Sequence, residues 1–134
     1  MASVNKVLLI GRLTWSPDLK LNFRNVPFVQ ATLVTKRSVN NQIKEYRHRL
    51  YFQGRWAQII AQFGKKDSLI FVEGYLQTRS WRDKENVKRS VTEVRVTRLQ
   101  LLDKKPVRKE TAIVYNNHEN DFSFEYPRFN LNLH

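Results

Sequence analysis

Residues 68–82, SLIFVEGYLQTRSWR, constrain the fold of this chain more than any other stretch. Up to Val72 nearly every residue is apolar and either β-branched or aromatic, which is typical of a strand covered on both faces. From Gly74 onward the side chains alternate, so one face is expected to carry Leu76 and Thr78 and the other Tyr75, Gln77, Arg79 and Trp81. A glycine inside a strand indicates a bulge or a tight bend, which a sheet needs to close into a small barrel.

The second of these faces combines aromatic rings with a guanidinium group. Bases stack on such rings while phosphates bind the charges, so this surface suits a nucleic-acid strand. The net charge agrees, because the chain has 24 Lys and Arg against 12 Asp and Glu, a balance of +12. Residues 1–103 hold 19 of the cations and 8 of the acids. The predicted folded part is therefore the basic part, and a polyanion is the leading class of partner.

Composition also disfavours several classes of protein. The chain has no cysteine, which excludes disulfides and thiolate metal sites, and its three histidines share no metal-site spacing. We therefore expect no metal and no cofactor. No apolar run reaches membrane-span length, and the N-terminal residues lead into a strand pattern without a signal peptide, so neither membrane insertion nor secretion is expected. The acids lack the grouping that a metal-dependent nuclease needs, so an enzyme is not expected.

Five strands and one helix are predicted. The strands cover residues 4–13, 28–36, 43–53, 68–82 and 90–102, and the helix, between Gly54 and Gly64, has an apolar face of Trp56, Ile59, Ile60 and Phe63. One interpretation of residues 19–23 is a continuation of the first strand after a bend, and polar residues 38–42 predict a hairpin loop. This order matches an all-β, five-stranded Greek-key OB-fold barrel with one short helix between strands 3 and 4. The barrel is expected over 1–103, followed at 104–134 by an irregular C-terminal extension that contains aromatic residues.

The third predicted strand adds more basic and aromatic groups. Its alternation places Arg47, Arg49 and Tyr51 on one face, whereas Leu50 and Phe52 face the core. An exposed tryptophan in the turn at residue 15 would also indicate a contact, but no pattern in the sequence assigns it a partner.

Short motifs recur along the predicted strands: VNKV at 4–7, IGRL at 10–13, HRL at 48–50, VEG at 72–74, LQTR at 76–79 and TEV at 92–94. With these motifs and Trp81, the chain resembles the bacterial and mitochondrial single-stranded DNA-binding proteins over about residues 2–102. The stretch from Arg47 to Trp81 matches the family pattern without a gap, so the resemblance extends to register as well as residue type.

The resemblance implies an OB fold that usually assembles as a homotetramer and binds without catalysis. It implies wrapping of single-stranded DNA during replication, recombination and repair, in the bacterial cytoplasm and nucleoid or in the mitochondrial matrix. Trp81 falls on a base-stacking tryptophan of the family, and His48 falls on a position associated with subunit contacts. The family's basic positions near the DNA path are matched by Lys6, Arg12 and Arg79. The full set of candidates for nucleic-acid contact is Lys6, Arg12, Arg47, Arg49, Tyr51, Tyr75, Arg79, Trp81 and Arg82.

Two departures from the family pattern bear on function. Val39, Arg47 and Gln53 stand where the family usually has two tryptophans and a phenylalanine that stack on bases, each stack contributing about 1–3 kcal/mol. Arg47 can partly offset this loss, since a guanidinium group stacks on a base and pairs with phosphate. The second departure is the end of the chain, FNLNLH, which lacks the family's acidic, phenylalanine-terminated peptide. Recruitment of replication proteins through an acidic tail is therefore not expected, and this departure favours a mitochondrial-type or accessory member of the family.

The missing aromatic positions and the high charge leave an alternative open. A repurposed OB-fold subunit could bind RNA within a ribonucleoprotein, such as an organellar ribosome, and would prefer folded RNA over unpaired DNA. A homo-oligomer, either a tetramer or a dimer, is expected from the family resemblance alone.

Overall fold

Six strands and one helix form within residues 2–103, the part of the chain that the computed structural model describes. In chain order they are β1 Val7–Leu13, β2 Lys20–Leu21, β3 Pro27–Val39, β4 Gln42–Gln53, α1 Arg55–Phe63, β5 Leu69–Arg82 and β6 Lys88–Leu101. The extension predicted at 104–134 lies outside the described residues.

The sheet closes on itself through β1. Its strand order is β1-β5-β6-β4-β3-β2, and β1 also pairs with β3, where Arg12 faces Val34 and Leu13 faces Leu33. Five strands thus complete a barrel, with β4 and β6 parallel and the other neighbours antiparallel. The predicted OB fold is confirmed, and α1 lies between the third and fourth barrel strands, β4 and β5. The two-residue β2 pairs with the start of β3, so residues 19–23 form only a short separate strand.

Gly74 marks the bulge that the sequence predicts. The register between β5 and β6 shifts between Glu73 and Gly74. A Cβ at Gly74 would overlap the carbonyl oxygen of Arg95, so the two backbones approach more closely than any other residue would allow. The pairing of β5 with β1 ends at this point, at Val7 and Gly74, whereas its pairing with β6 continues to Arg82. Leu76, just beyond the end of the β1 pairing, is 51% exposed.

The core fills the barrel and the space beneath α1. Side chains from the five barrel strands and from α1 are buried there, with Phe52, Leu13, Leu33, Leu50 and Ile60 among the largest. The helix follows Gly54, whose φ of 67° suits glycine, and ends where the Gly64 N–H donates to the Ile60 carbonyl at 2.8 Å. Trp56 is partly buried against the core, in agreement with its predicted packing role.

Several predicted boundaries are wrong by a few residues. β1 begins at Val7 instead of residue 4, and β6 begins at Lys88 instead of residue 90. The largest error is the β3–β4 hairpin, which pairs as far as Val39 and Gln42 and turns through Asn40 and Asn41 alone. Both asparagines have positive φ, 51° and 66°. This is the backbone that a tight two-residue hairpin requires, so the predicted five-residue loop is mostly strand.

Candidate nucleic-acid interface

Two open grooves on the outside of the barrel contain most of the candidate residues. The β5 groove, of about 480 Å³, is lined by Trp15, Gln30, Ala31, Thr32, Arg49, Leu50, Arg79, Trp81, Val91 and Glu93. The β1 groove, of about 570 Å³, is lined by Ile10, Gly11, Arg12, Leu13, Thr14, Trp15, Val34, Thr35, Lys36, Glu45, Arg47 and Asp67. Each groove holds more cations than carboxylates, and Trp15 borders both.

Arg79 and Trp81 lie together in the β5 groove. The Arg79 guanidinium carbon is 5.7 Å from the centre of the Trp81 ring, and the Trp81 side chain is 45% exposed. Arg79 Nε donates to Glu93 Oε2 at 2.5 Å, and the carboxylate is almost fully buried while the guanidinium is about one-third exposed. This hydrogen bond raises the pKa of Arg79 above its ordinary value. The groove therefore contains a permanently charged cation, fixed in place beside an accessible indole.

Tyr51 lies behind this pair and supports it. Its ring stacks on Phe28, with centroids 5.7 Å apart and planes 11° from parallel. The guanidinium carbons of Arg79 and Arg95 lie 5.5 and 5.3 Å from the Tyr51 ring centre, within cation–π range. Arg95 is further held by hydrogen bonds to Gln53 and to neighbouring Gln77. Tyr51 therefore packs against cations on β5 and β6 and does not itself line the β5 groove.

The β1 groove is a more loosely paired set of charges. Lys36 Nζ and Arg47 Nη2 lie 3.8 and 3.9 Å from the two carboxylate oxygens of Glu45, and all three side chains are exposed. Such exposed ion pairs contribute little to stability, so these cations can readily leave Glu45 to bind another anion. Arg12 Nη1 donates to the carbonyl oxygen of Asp67 at 2.9 Å. It also lies 3.9 Å from Asp103 Oδ1. A phosphate entering this groove would meet three exposed cations, two of which, Lys36 and Arg47, have only the weak pairs with Glu45.

The other candidates lie outside both grooves. Lys6 Nζ pairs with Glu73 at 2.6 Å, and this hydrogen bond lowers the pKa of the carboxyl. Arg82 donates to the Asn86 carbonyl at 3.0 Å in the β5–β6 turn, and Tyr75 is half-buried on β5. His48 is half-buried, with Nε2 2.9 Å from Thr35 Oγ1. The structure therefore brings together Arg49, Arg79 and Trp81 in one groove and Arg12 and Arg47 in the other.

Four residues near the grooves are missing from the predicted set: Trp15, Phe28, Lys36 and Arg95. Phe28 and Lys36 follow the strand alternation that identified Tyr51 and Arg47, so the same pattern could have found them. Trp15 stands in a turn without periodicity, and only the folded chain shows what it borders.

Within residues 2–103 no cluster of His, Asp and Glu could hold a metal ion. No helix in that range is long and apolar enough to span a membrane.

The sequence match to known proteins covers nearly all of the described barrel. Residues 4–102 match the model of the single-strand binding protein family. The chain belongs to this family. It is 40% identical over 111 residues to Single-stranded DNA-binding protein 1 of Xylella fastidiosa, covering 78% of this chain and 82% of the relative. It is 35% identical over 108 residues to Single-stranded DNA-binding protein B of Bacillus subtilis, covering 78% and 96%.

A solved structure extends the similarity to three dimensions. The structure of the Plasmodium falciparum SSB complex with ssDNA superposes with a TM-score of 0.68 at 25% identity, covering 77% of this chain and 98% of the other. The family resemblance predicted from the strand motifs is thereby confirmed, and so is the fold assigned to this single-strand binding family member.

Proposed function

We propose that this protein binds single-stranded DNA with little sequence preference and without catalysis, in replication, recombination and repair. The observation that carries the proposal is the β5 groove, where an accessible indole, Trp81, lies beside the fixed cation of Arg79. Single strands are bound by this combination, since bases stack on rings and phosphates pair with cations. The names of the two bacterial relatives and the ssDNA in the Plasmodium falciparum complex support DNA as the ligand.

The two grooves suit an unpaired strand in particular. They lie on the open outer face of a barrel, and the side chains offered to a ligand are rings and guanidinium groups. Neither type selects one base over another, because every base has a π-face and every nucleotide has a phosphate. Affinity therefore comes from phosphate neutralisation at Arg12, Arg47 and Arg49, with stacking at Trp81 beside Arg79, whose charge is already paired with Glu93. Lys6, Tyr75 and Arg82 are proposed as outer contacts of a longer strand.

The two relatives also indicate where in the cell the protein acts. Both are bacterial proteins, which favours the bacterial nucleoid over the mitochondrial matrix as the place of action. The RNA alternative gains no support from relatives that are named for DNA. It therefore serves as the competitor in the test of function.

The test is a titration of the full chain with oligo(dT), with oligo(rU) and a folded RNA as competitors. We expect tight binding to oligo(dT), quenching of Trp81 fluorescence, and a fall of log K with log salt of about −0.7 per phosphate contacted. Replacement of Trp81 by phenylalanine should remove a large part of the quench while keeping most of the affinity. Binding without a salt slope, or preference for the folded RNA, would contradict the proposal.

Self-association is proposed as a second property. Leu8 and Ile10 are both exposed on the outer face of β1. Ile10 lines the β1 groove, whereas Leu8 lines neither groove and is the apolar side chain that a second subunit would cover. His48, the position that the resemblance associates with subunit contacts, is half-buried. A mass from light scattering is expected to be a multiple of the 16.0 kDa chain, with or without oligo(dT). A monomeric mass under both conditions would exclude a homo-oligomer.

A further inference from the structure

The indole of Trp15 is the largest exposed aromatic surface that borders the grooves. Its side chain is 61% exposed, more than that of Trp81, although Trp15 belongs to a segment in contact with the barrel. A tryptophan left in water contributes little to folding, since the benefit of a large apolar side chain comes from its burial. Single exposed apolar residues are common, so exposure alone assigns no role.

The backbone around Trp15 is fixed on both sides. The Thr14 N–H donates to the carbonyl oxygen of Thr32 on β3 at 3.1 Å. Ser16 Oγ accepts from the Lys66 N–H at 3.2 Å. A ring carried by an anchored backbone loses less freedom on binding than one on a free loop, so more of the contact energy remains as affinity.

The position of the ring between two cationic grooves indicates that its ligand is a nucleic-acid strand. On one side lie Arg12 and Arg47 of the β1 groove, and on the other lie Arg49 and Arg79 of the β5 groove. Each nucleotide of a single strand has one backbone phosphate and one base on its sugar. A DNA strand whose phosphates contact the cations on both sides therefore passes Trp15 and can place a base over it. Stacking on an exposed indole is the contact that this base can make.

We propose that Trp15 is a base-stacking platform that joins the two grooves into one continuous path for single-stranded DNA. The inference rests on the proposed function, and it adds a second aromatic platform remote in sequence from Trp81. It also means that one and the same DNA strand occupies the β1 groove and the β5 groove.

The test replaces Trp15 by alanine and measures oligo(dT) binding by the full chain. Affinity is expected to fall about 5- to 150-fold, the loss given by removing one stacked base, and Trp15→Phe should recover much of it. The matched control is Phe23→Ala, which removes an exposed aromatic side chain that lines neither groove. This control should bind as the unmodified chain does, and both alanine variants should keep its melting temperature.

A fluorescence measurement makes the assignment direct. In a Trp81→Phe background the remaining tryptophans are Trp15 and the partly buried Trp56, so quenching by oligo(dT) should persist and should disappear when Trp15→Phe is added. Unchanged affinity of Trp15→Ala, or an equal loss in Phe23→Ala, would overturn the platform while leaving the proposed function intact. Failure of the unmodified chain to bind oligo(dT) would instead overturn the proposed function itself.

Discussion

Replacing Gly74 by alanine is expected to destabilise the protein by about 3 kcal/mol or more, the upper range for forcing extra volume into a packed site. The added methyl group would overlap the backbone carbonyl oxygen of Arg95 and press on a side-chain methyl of Val94. A backbone oxygen cannot rotate away as a flexible side chain can. The strands β5 and β6 would have to separate where the register shifts, and this is the largest strand–strand interface of the barrel by paired residues.

Denaturant unfolding of the two proteins measures this loss. Gly54→Ala is the matched control, because Gly54 has a φ of 67° but an added Cβ there meets nothing within 4 Å. That variant should lose about 1–3 kcal/mol from backbone strain alone, because its φ of 67° and ψ of −130° favour glycine although an added Cβ meets no steric overlap. Equal losses in the two variants would show that close packing at Gly74 is not what the bulge requires.

The double substitution Arg47→Gln with Arg49→Gln is expected to weaken oligo(dT) binding about 25-fold at about 0.1 M salt, since two phosphate contacts contribute about 1.4 units to the salt slope. These arginines are neighbours on the same face of β4, and each lines a different groove. Both are exposed, and within residues 2–103 Arg49 forms no ion pair while Arg47 has only the weak contact with Glu45. The folded structure should therefore tolerate their replacement.

Lys20→Gln with Arg24→Gln gives the charge-matched control. Both residues are exposed and line neither groove, so this variant loses the same charge elsewhere on the surface. We expect it to change affinity by no more than a few-fold and to keep the salt slope. If both double variants lost affinity and slope equally, binding would depend on the net charge of the molecule instead of on the grooves.

The sequence predicted the elements whose patterns are set by burial. Alternation identified the faces of β4 and β5, apolar spacing identified α1, and the glycine in the strand identified the bulge. The sequence predicts too short a β3–β4 hairpin because residues 38–42 are polar, and runs of polar residues are typical of loops. Outside the barrel a paired strand buries no side chain, so its sequence carries no apolar alternation, and only the Asn40–Asn41 turn signals it.

The binding surface was predicted less completely than the fold. Arg79 and Trp81 could be grouped because alternation determines which side chains of one strand share a face. Only the structure adds Arg49, from β4, to the same groove. Lys6 and Arg82 were predicted as candidates by charge and resemblance, but the structure engages each with a nearby acceptor. Distances between a cation and its acceptors depend on which strands become neighbours, and no local pattern contains that information.

By itself, the sequence determined the strands, the glycine at the bulge, the excess of cations and the family. Each of these depends only on the types of residue and on their order along the chain. The tertiary structure decided that the cations divide between two grooves and that Trp15 stands between them. Barrel closure brings β1 against β3 and β5, and with them the turn that follows β1. Contacts between residues far apart in the chain arise only when the sheet closes, so the path proposed for DNA is a property of the closed barrel.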